Sequence, residues 1–364
     1  MALCGVLTIL RLTATKRRDP IVGPFQYLRQ MSRALVTGAS GFIGQQLVQM
    51  LVARGDEVAC LVRKSSKSEP LVKMGAQLRF GDVCNPTGLP AAVADADVVY
   101  HLAGLTRAHN REVYCSVNEA GVRNILEACA QRTSPPTVVV VSSLAAAGPT
   151  REAHLRTETE PSTPASDYGF SKRAGEIVAE AYATRLPITI VRPPAVLGPG
   201  DLPGFPLFRS VKRIRSFAVL GKRRLVAVID VRDLAAGAIL AAERGERLAA
   251  NGRAGQGYYY LSADECPTFG EFGRMIGRSV NRPYALAVRV PIAVIWAACG
   301  VGSLIGRIIR RPLYLNLDRA RDLGGGHWGC SAAKAKAELG FAPGAPLPQR
   351  IRETAQWYRE QGWL

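Results

Sequence analysis

The sequence predicts an α/β chain built on a doubly wound parallel sheet, with a smaller C-terminal lobe. Three observations carry that prediction. The chain has 364 residues, more than one hydrophobic core usually organises. From Arg33 onward, short β-branched runs alternate with amphipathic stretches of helical period, the pattern of strands and crossover helices. After Arg192 the alternation gives way to turns rich in proline and glycine, from Pro193 to Pro206, so a second lobe begins there. The divisions read from the chain are a leader over 1–30, a sheet domain over 31–192 and a lobe over 193–364.

In chain order, strands are expected at 34–37, 57–62, 77–80, 98–102, 137–142 and 188–192, where valine, leucine and isoleucine dominate. Helices are expected at 43–54, 113–131 and 168–184, whose apolar residues recur at three and four. A further strand near 258–261 and a helix after Thr268 are expected to return to the main sheet.

Thr37-Gly38-Ala39-Ser40-Gly41-Phe42-Ile43-Gly44 follows the first strand and opens the first helix. In such a loop Gly38 permits the tight turn, Gly41 lets backbone N–H groups approach a pyrophosphate, and Gly44 allows helix and strand to pack closely. A glycine triplet alone is weak. Between a strand and a helix it reads as the phosphate loop of a nicotinamide dinucleotide site in a Rossmann sheet. The second strand ends in Leu61-Val62-Arg63-Lys64, where a binder of unphosphorylated NAD usually sets an acidic residue against the ribose hydroxyls. Arg63 suits a 2′-phosphate instead, so NADP is the expected cofactor and NAD the alternative. Past the third strand, Asp82 is expected to accept from the adenine amino group and Val83 to pack on the ring; a simple turn is the other reading of Asp82. Leu102-Ala103-Gly104 ends the fourth strand with small residues for close passage beneath the cofactor.

Tyr168 and Lys172 stand one helical turn apart, on one face of a predicted helix. A free tyrosine, with a pKa of about 10, is a poor base near neutrality, and a neighbouring ammonium favours its phenolate. Lys172 is expected to lower Tyr168 in this way and to donate to the nicotinamide ribose. Ser143 ends the fifth strand, which brings its hydroxyl to the carboxyl edge of the sheet, where ligands of doubly wound folds bind. There it would hold the substrate oxygen. The trio predicts hydride transfer between substrate and nicotinamide while Tyr168 gives or takes the hydroxyl proton. A surface helix with a snorkelling lysine is the bland reading. It loses weight because the pair follows a glycine loop and a strand-end serine in that order.

Together these residues resemble the extended short-chain dehydrogenase/reductase family, also called the NAD-dependent epimerase/dehydratase family. The resemblance spans most of the chain from Arg33. It rests on the 37–44 loop, Gly81-Asp82, His101-Leu-Ala-Gly104, Val117-Asn118, Ser142-Ser143, Tyr168 with Lys172, and Arg192-Pro-Pro-Ala-Val-Leu-Gly-Pro199. The segments 335–341 and 354–358 resemble the close of such proteins, which implies a mostly helical substrate lobe. The cofactor contacts expected in all are Gly38, Ser40, Gly41, Phe42, Ile43, Gly44, Arg63, Asp82, Val83, Leu102, Ala103, Gly104, Ser142, Tyr168, Lys172, Pro193 and Val196.

Sugar-nucleotide members of the family typically carry asparagine where this chain has Ala195 and an arginine near Val226, and their dehydratases an Asp-Glu pair where Leu144-Ala145-Ala146 follows Ser143. The resemblance therefore points to the dihydroflavonol-reductase-like and 3β-hydroxysteroid-dehydrogenase-like branch, which acts on apolar alcohols or ketones. Two alternatives stay open: a nucleotide-sugar epimerase that retains NAD, and a non-catalytic NADP-binding scaffold. A homodimer through 113–131 and 168–184 is implied by resemblance only.

Hydrophobic residues make up 48% of the chain and charged residues 21%, which excludes a disordered protein. The net charge of +18 comes without zinc-finger or RRM-like spacing, so the expected partner is a small-molecule substrate and not nucleic acid. The eight cysteines form no C-x-x-C pair and the four histidines have no ligand spacing. A reducing, cytoplasmic location without a metal site is expected. The stretch 290–306 between Arg289 and Arg307 is uncharged but short beside the roughly 20 residues of a membrane span. A lid or interfacial helix is the first reading, and with Arg307, Arg310 and Arg311 alongside, peripheral membrane contact through 290–311 is weighed against a buried lobe helix. The cluster Arg209, Lys212, Arg213, Arg215, Lys222, Arg223 and Arg224 reads first as a solvated face and second as a recruiter of anionic substrate or lipid. In residues 1–30 the apolar run Leu3 to Leu10 precedes Lys16, Arg17 and Arg18, the reverse of a secretory signal, and Met31 stands just before the first strand. That leader reads as an overlong translation start, a poorly ordered extension or a weak membrane anchor.

Overall fold

The six β-branched runs lie side by side in one parallel sheet. The computed structural model describes residues 31–364 apart from 221–222, 310–312 and 314; the leader, Lys222, Arg310 and Arg311 lie outside the described residues. The chain runs through β1 (Arg33–Thr37), α1 (Phe42–Ala53), β2 (Glu57–Val62), α2 (Glu69–Lys73), β3 (Gln77–Phe80), α3 (Leu89–Val93) and β4 (Val98–His101). It continues with α4 (Arg111–Asn118), α5 (Ala120–Ala130), β5 (Thr137–Val141), α6 (Leu144–Ala147), α7 (Asp167–Ala181), β6 (Ile188–Arg192) and β7 (Ala195–Leu197). The later elements are α8 (Phe205–Ile214), β8 (Ser216–Leu220), β9 (Val228–Asp230), α9 (Val231–Arg244), β10 (Tyr258–Tyr260), α10 (Phe269–Ser279) and β11 (Leu286–Val290). Four helices close the chain: α11 (Ile292–Ile308), α12 (Leu317–Gly324), α13 (Ala333–Leu339) and α14 (Leu347–Glu360).

The main sheet has seven parallel strands in the order β10-β6-β5-β4-β1-β2-β3. Strand order reverses between β1 and β4, which opens a crevice at their carboxyl ends. The strands read as unbroken apolar runs because helices cover both faces. Leu35, Val138 and Val140 enter the core beneath α5 and α7, whereas Val36 and Val139 enter the one beneath α1 and α9. That alternation is the two-residue period of a strand.

One predicted helix is corrected. The stretch 113–131 is two helices, α4 and α5, broken at Glu119, which takes φ −103° and ψ −58°. Tertiary contacts hold the break. The Asn118 side chain is tied to Leu105 and Ser171, and α7 crosses so closely that a Cβ on Gly175 would lie 2.3 Å from the Asn118 carbonyl oxygen.

Residues Ser32–Leu364 form one compact unit. β10 pairs with β6 at the sheet edge and α9 packs on α1, so chain from beyond Arg192 completes the sheet layer. The rest of the lobe gathers α8, α10, α14 and the β8–β11 pair around Phe208, Phe217, Ile276, Leu347 and Tyr358. A capping box at Thr268 and Glu271 starts α10, satisfying backbone donors that a helix start leaves bare. The reading of 290–306 as a buried helix is overturned: Cys299, Gly302 and Gly306 are the buried residues of α11.

Candidate active site

The glycine loop sits against the end of β4. Gly38 takes φ +69°, and a Cβ there would lie 2.7 Å from the Ala103 nitrogen; a Cβ on Gly44 would lie 2.3 Å from the Gly38 carbonyl oxygen. No side chain larger than hydrogen fits at either place. α1 starts at Gly41 with no side-chain cap and no acidic residue in its first turn. Its first amide N–H groups, on Phe42, Ile43 and Gly44, are thus offered to an anion, and a dinucleotide pyrophosphate fits this cradle. The Phe42 ring reaches across to the turn at Gly200, where a Cβ would come within 3.3 Å of it. The Ser40 carbonyl accepts from Gln45 at 3.0 Å, which fixes the loop on the helix.

Thr37 joins the two strand ends that flank the crevice. Its hydroxyl lies 3.0 Å from His101 Nδ1 and accepts from the Ala103 N–H at 3.2 Å. Burial, aided by the charge of Lys172, pushes the His101 pKa down to about 3, so the ring is neutral. Its Nε2 is buried without a hydrogen-bond partner. Leu102, Ala103 and Gly104 run on from there, and Asn118 accepts from the Leu105 N–H at 2.7 Å to hold that turn.

The structure brings Ser143 and Tyr168 together. Ser143 caps α6 through the Ala145 N–H at 3.1 Å, and its hydroxyl lies near enough to the Tyr168 phenol to pull that phenol's pKa down. Tyr168 stands in the first turn of α7, which Ser166 caps at the Gly169 N–H. Asp318 of α12 accepts from the N–H groups of Asp167 at 2.5 Å and Tyr168 at 3.2 Å. The Tyr114 ring packs 5.8 Å from that of Tyr168, and the half-buried Asp322 adds a negative field.

Lys172 lies a turn further along α7, buried, with Nζ donating 2.8 Å to the Val141 carbonyl. Burial lowers its pKa to about 8 against the pull of Glu176. The expected lowering of Tyr168 by Lys172 is corrected here. Burial holds the phenol pKa above its ordinary value, the neighbouring Ser143 hydroxyl opposes that only in part, and the lysine ammonium is engaged with a carbonyl.

Behind Lys172 lies a buried ion pair that the sequence reading missed. Glu176 accepts from Arg192 Nε at 2.8 Å and Nη2 at 2.6 Å, and from the Ser142 hydroxyl at 2.6 Å. The Arg192 guanidinium lies 4.4 Å from the Tyr258 ring centre. The signal was present, since Glu176 follows Lys172 by one helical turn and Arg192 is a charge closing an apolar strand. Asp318 and Asp322 gave no such signal, being about 150 residues from the helix they serve.

The remaining predicted contacts divide. Arg63 is exposed just past β2, in a turn closed by its N–H to Ser66 Oγ at 3.2 Å. Its charge and that of Asp82 both act on the Cys84 thiol, so they border one rim. Asp82 accepts from the Cys84 N–H at 2.9 Å, the turn-forming role. Val83 does not present its side chain to a ring: it is buried, with Gly121 close enough that a Cβ there would lie 3.0 Å from it. Pro193 is buried and accepts from the Leu144 N–H at 2.8 Å, while Val196 is half-buried on β7.

This geometry has counterparts among known proteins. The model of the NAD dependent epimerase/dehydratase family matches residues 34–253. The chain belongs to that family. A ceramide reductase of Caulobacter vibrioides is 31% identical over 335 residues, covering 90% of this chain and 95% of that protein. The human sterol-4-alpha-carboxylate 3-dehydrogenase, decarboxylating, is 26% identical over 342 residues, covering 91% and 89%. The dTDP-glucose 4,6-dehydratase DesIV of Streptomyces venezuelae, solved with NAD bound, shares the fold at a TM-score of 0.69 and 23% identity, covering 91% and 98%. This family member is an NAD(P)-dependent enzyme of the extended short-chain dehydrogenase/reductase type, beside the hydroxysteroid-dehydrogenase-like relatives.

Proposed function

We propose that the enzyme interconverts a secondary alcohol and a ketone on a largely apolar substrate, using NADP. The observation that carries this reading is the meeting of Ser143, which caps α6 where β5 ends, with Tyr168 in the first turn of α7, one helical turn from Lys172. When bound, the nicotinamide supplies or accepts the hydride. Ser143 and Tyr168 hold the substrate oxygen between them, and Tyr168 gives its proton to that oxygen on reduction or takes it on oxidation. The raised phenol pKa keeps Tyr168 protonated near neutral pH, the form that donates when a ketone is reduced. Lys172 and the Val141 carbonyl border the same edge, so a ribose hydroxyl there meets both a donor and an acceptor.

Two relatives named for lipids, a ceramide and a sterol carboxylate, support an apolar substrate. Arg63 in the rim beside Asp82, with no acidic residue ending β2, supports the 2′-phosphate of NADP.

Nicotinamide fluorescence titration of the wild type and of Arg63→Glu tests the reading. NADPH is expected to bind the wild type at least about tenfold more tightly than NADH, an ion-pair difference on the order of 1.4 kcal/mol, and the substitution is expected to reverse the order. Protein that emerges from purification with NAD held tightly, indifferent to NADPH, would instead mark an epimerase that regenerates its cofactor each turnover.

A further inference from the structure

α11 turns its small side chains inward. A Cβ on Gly302 would stand 2.0 Å from the Leu315 carbonyl oxygen, and the buried residues are Cys299, Gly302 and Gly306. Ile292, Val294, Trp296, Val301, Leu304 and Ile308 lie on the outside, each between 41% and 73% exposed. A helix of a water-soluble surface does the reverse, and an apolar patch of this extent marks a contact with something else. Its 17 residues carry one charge, Arg307. Among the described residues no helix is long and apolar enough to cross a membrane.

The net charge of the chain is concentrated in two stretches of its sequence, one of which contains α11. Residues 202–229 hold seven Lys or Arg and residues 272–317 another seven, with no Asp or Glu in either stretch. They account for +14 of the net +18; residues 1–30 hold five basic residues and one acidic, and all the rest of the chain has twenty-eight of each sign. The two stretches meet in space, because β8 pairs with β11 and α8 packs on α10. Arg289 and Arg307 stand at the two ends of α11, and Arg213 and Arg215 lead into β8. None of these four has a carboxylate at ion-pair distance among the described residues.

We infer that α11, with the β8–β11 pair beside it, docks the enzyme on the surface of a bilayer carrying anionic lipid. The outward side chains enter the boundary between headgroups and acyl chains while the arginines reach the lipid phosphates. A second copy of the chain fits this face poorly, since it would set arginine against arginine with no acid between. Nucleic acid leaves the apolar centre uncovered. The inference rests on exposure and charge alone and stands apart from the chemistry of Tyr168.

Vesicle co-sedimentation of the full chain tests it, with pure phosphatidylcholine set against phosphatidylcholine mixed with phosphatidylglycerol. The wild type is expected on the anionic vesicles, with Trp296 quenched by brominated acyl chains and that quenching reduced in Trp296→Phe. Leu304→Glu with Ile308→Glu is expected to weaken binding at least about tenfold, and Arg289→Glu with Arg307→Glu to remove the preference for anionic vesicles. NADPH titration, expected unchanged in both, shows that the variants are folded. Wild type that ignores both vesicles, or a Leu304/Ile308 variant that binds like wild type, overturns the proposal. So does a variant that merely turns a dimer into a monomer by light scattering, which would make α11 a subunit interface.

Discussion

Around the parallel sheet, several arginines end on carboxylates: Arg79 on Asp95, Arg173 on Glu180, Arg192 on Glu176. In the lobe, Arg213, Arg215, Arg289 and Arg307 end on none among the described residues, and the apolar side chains of α11 face outward beside them. Net charge averages over both regions and conceals the split. Behind the site, Glu176 and Arg192 satisfy each other's charge, as a preorganised site requires. The lobe leaves charge and apolar surface exposed.

If the two regions act separately, Tyr168→Phe gives the largest effect and confines it to one of them. Turnover of a ketone substrate is expected to fall by about 10²- to 10⁴-fold, with vesicle binding unchanged. A parallel loss of vesicle binding, followed by co-sedimentation, would break the separation.

The ion pair behind Lys172 gives the next effect. Glu176→Gln leaves the Arg192 guanidinium buried without its counter-charge, an expected loss of about 3–5 kcal/mol in a urea melt. An exposed lobe arginine such as Arg289, changed to Gln, is expected to move the same melt by less than about 0.5 kcal/mol. Equal losses would mean that the lobe arginines are paired after all.

Lys172 sharpens the comparison through pH. Its folded pKa of about 8 lies below its ordinary value, so between about pH 8 and 10.5 the unfolded chain binds the extra proton and stability rises with pH. Wild type is therefore expected to gain up to about 3 kcal/mol on Lys172→Met across that window, with no such relative gain below it. Parallel stability curves would show a lysine with no burial penalty.

The site was legible in the sequence wherever its chemistry depends on neighbours along the chain. Gly38, Gly41 and Gly44 mark the loop, and Tyr168 with Lys172 share a helix face at fixed spacing. Six strands were legible for the same reason, since helices on both faces demand unbroken apolar runs such as Thr137–Val141. The helix over 113–131 was misread because its break depends on Asn118 meeting Leu105 and Ser171, which periodicity cannot register.

By itself the sequence determined the order of strands and helices, the glycine cradle and the spacing that sets Tyr168 and Lys172 on one helix face, because local spacing and backbone sterics act within a few residues. Tertiary structure alone decided the balance of protonation and exposure. Burial, not Lys172, dominates the phenol of Tyr168, Asp318 reaches the start of α7 from α12, and α11 lies on the surface and not in the core. Desolvation and exposure depend on which distant segments close over a group, and that is fixed only when the chain has folded.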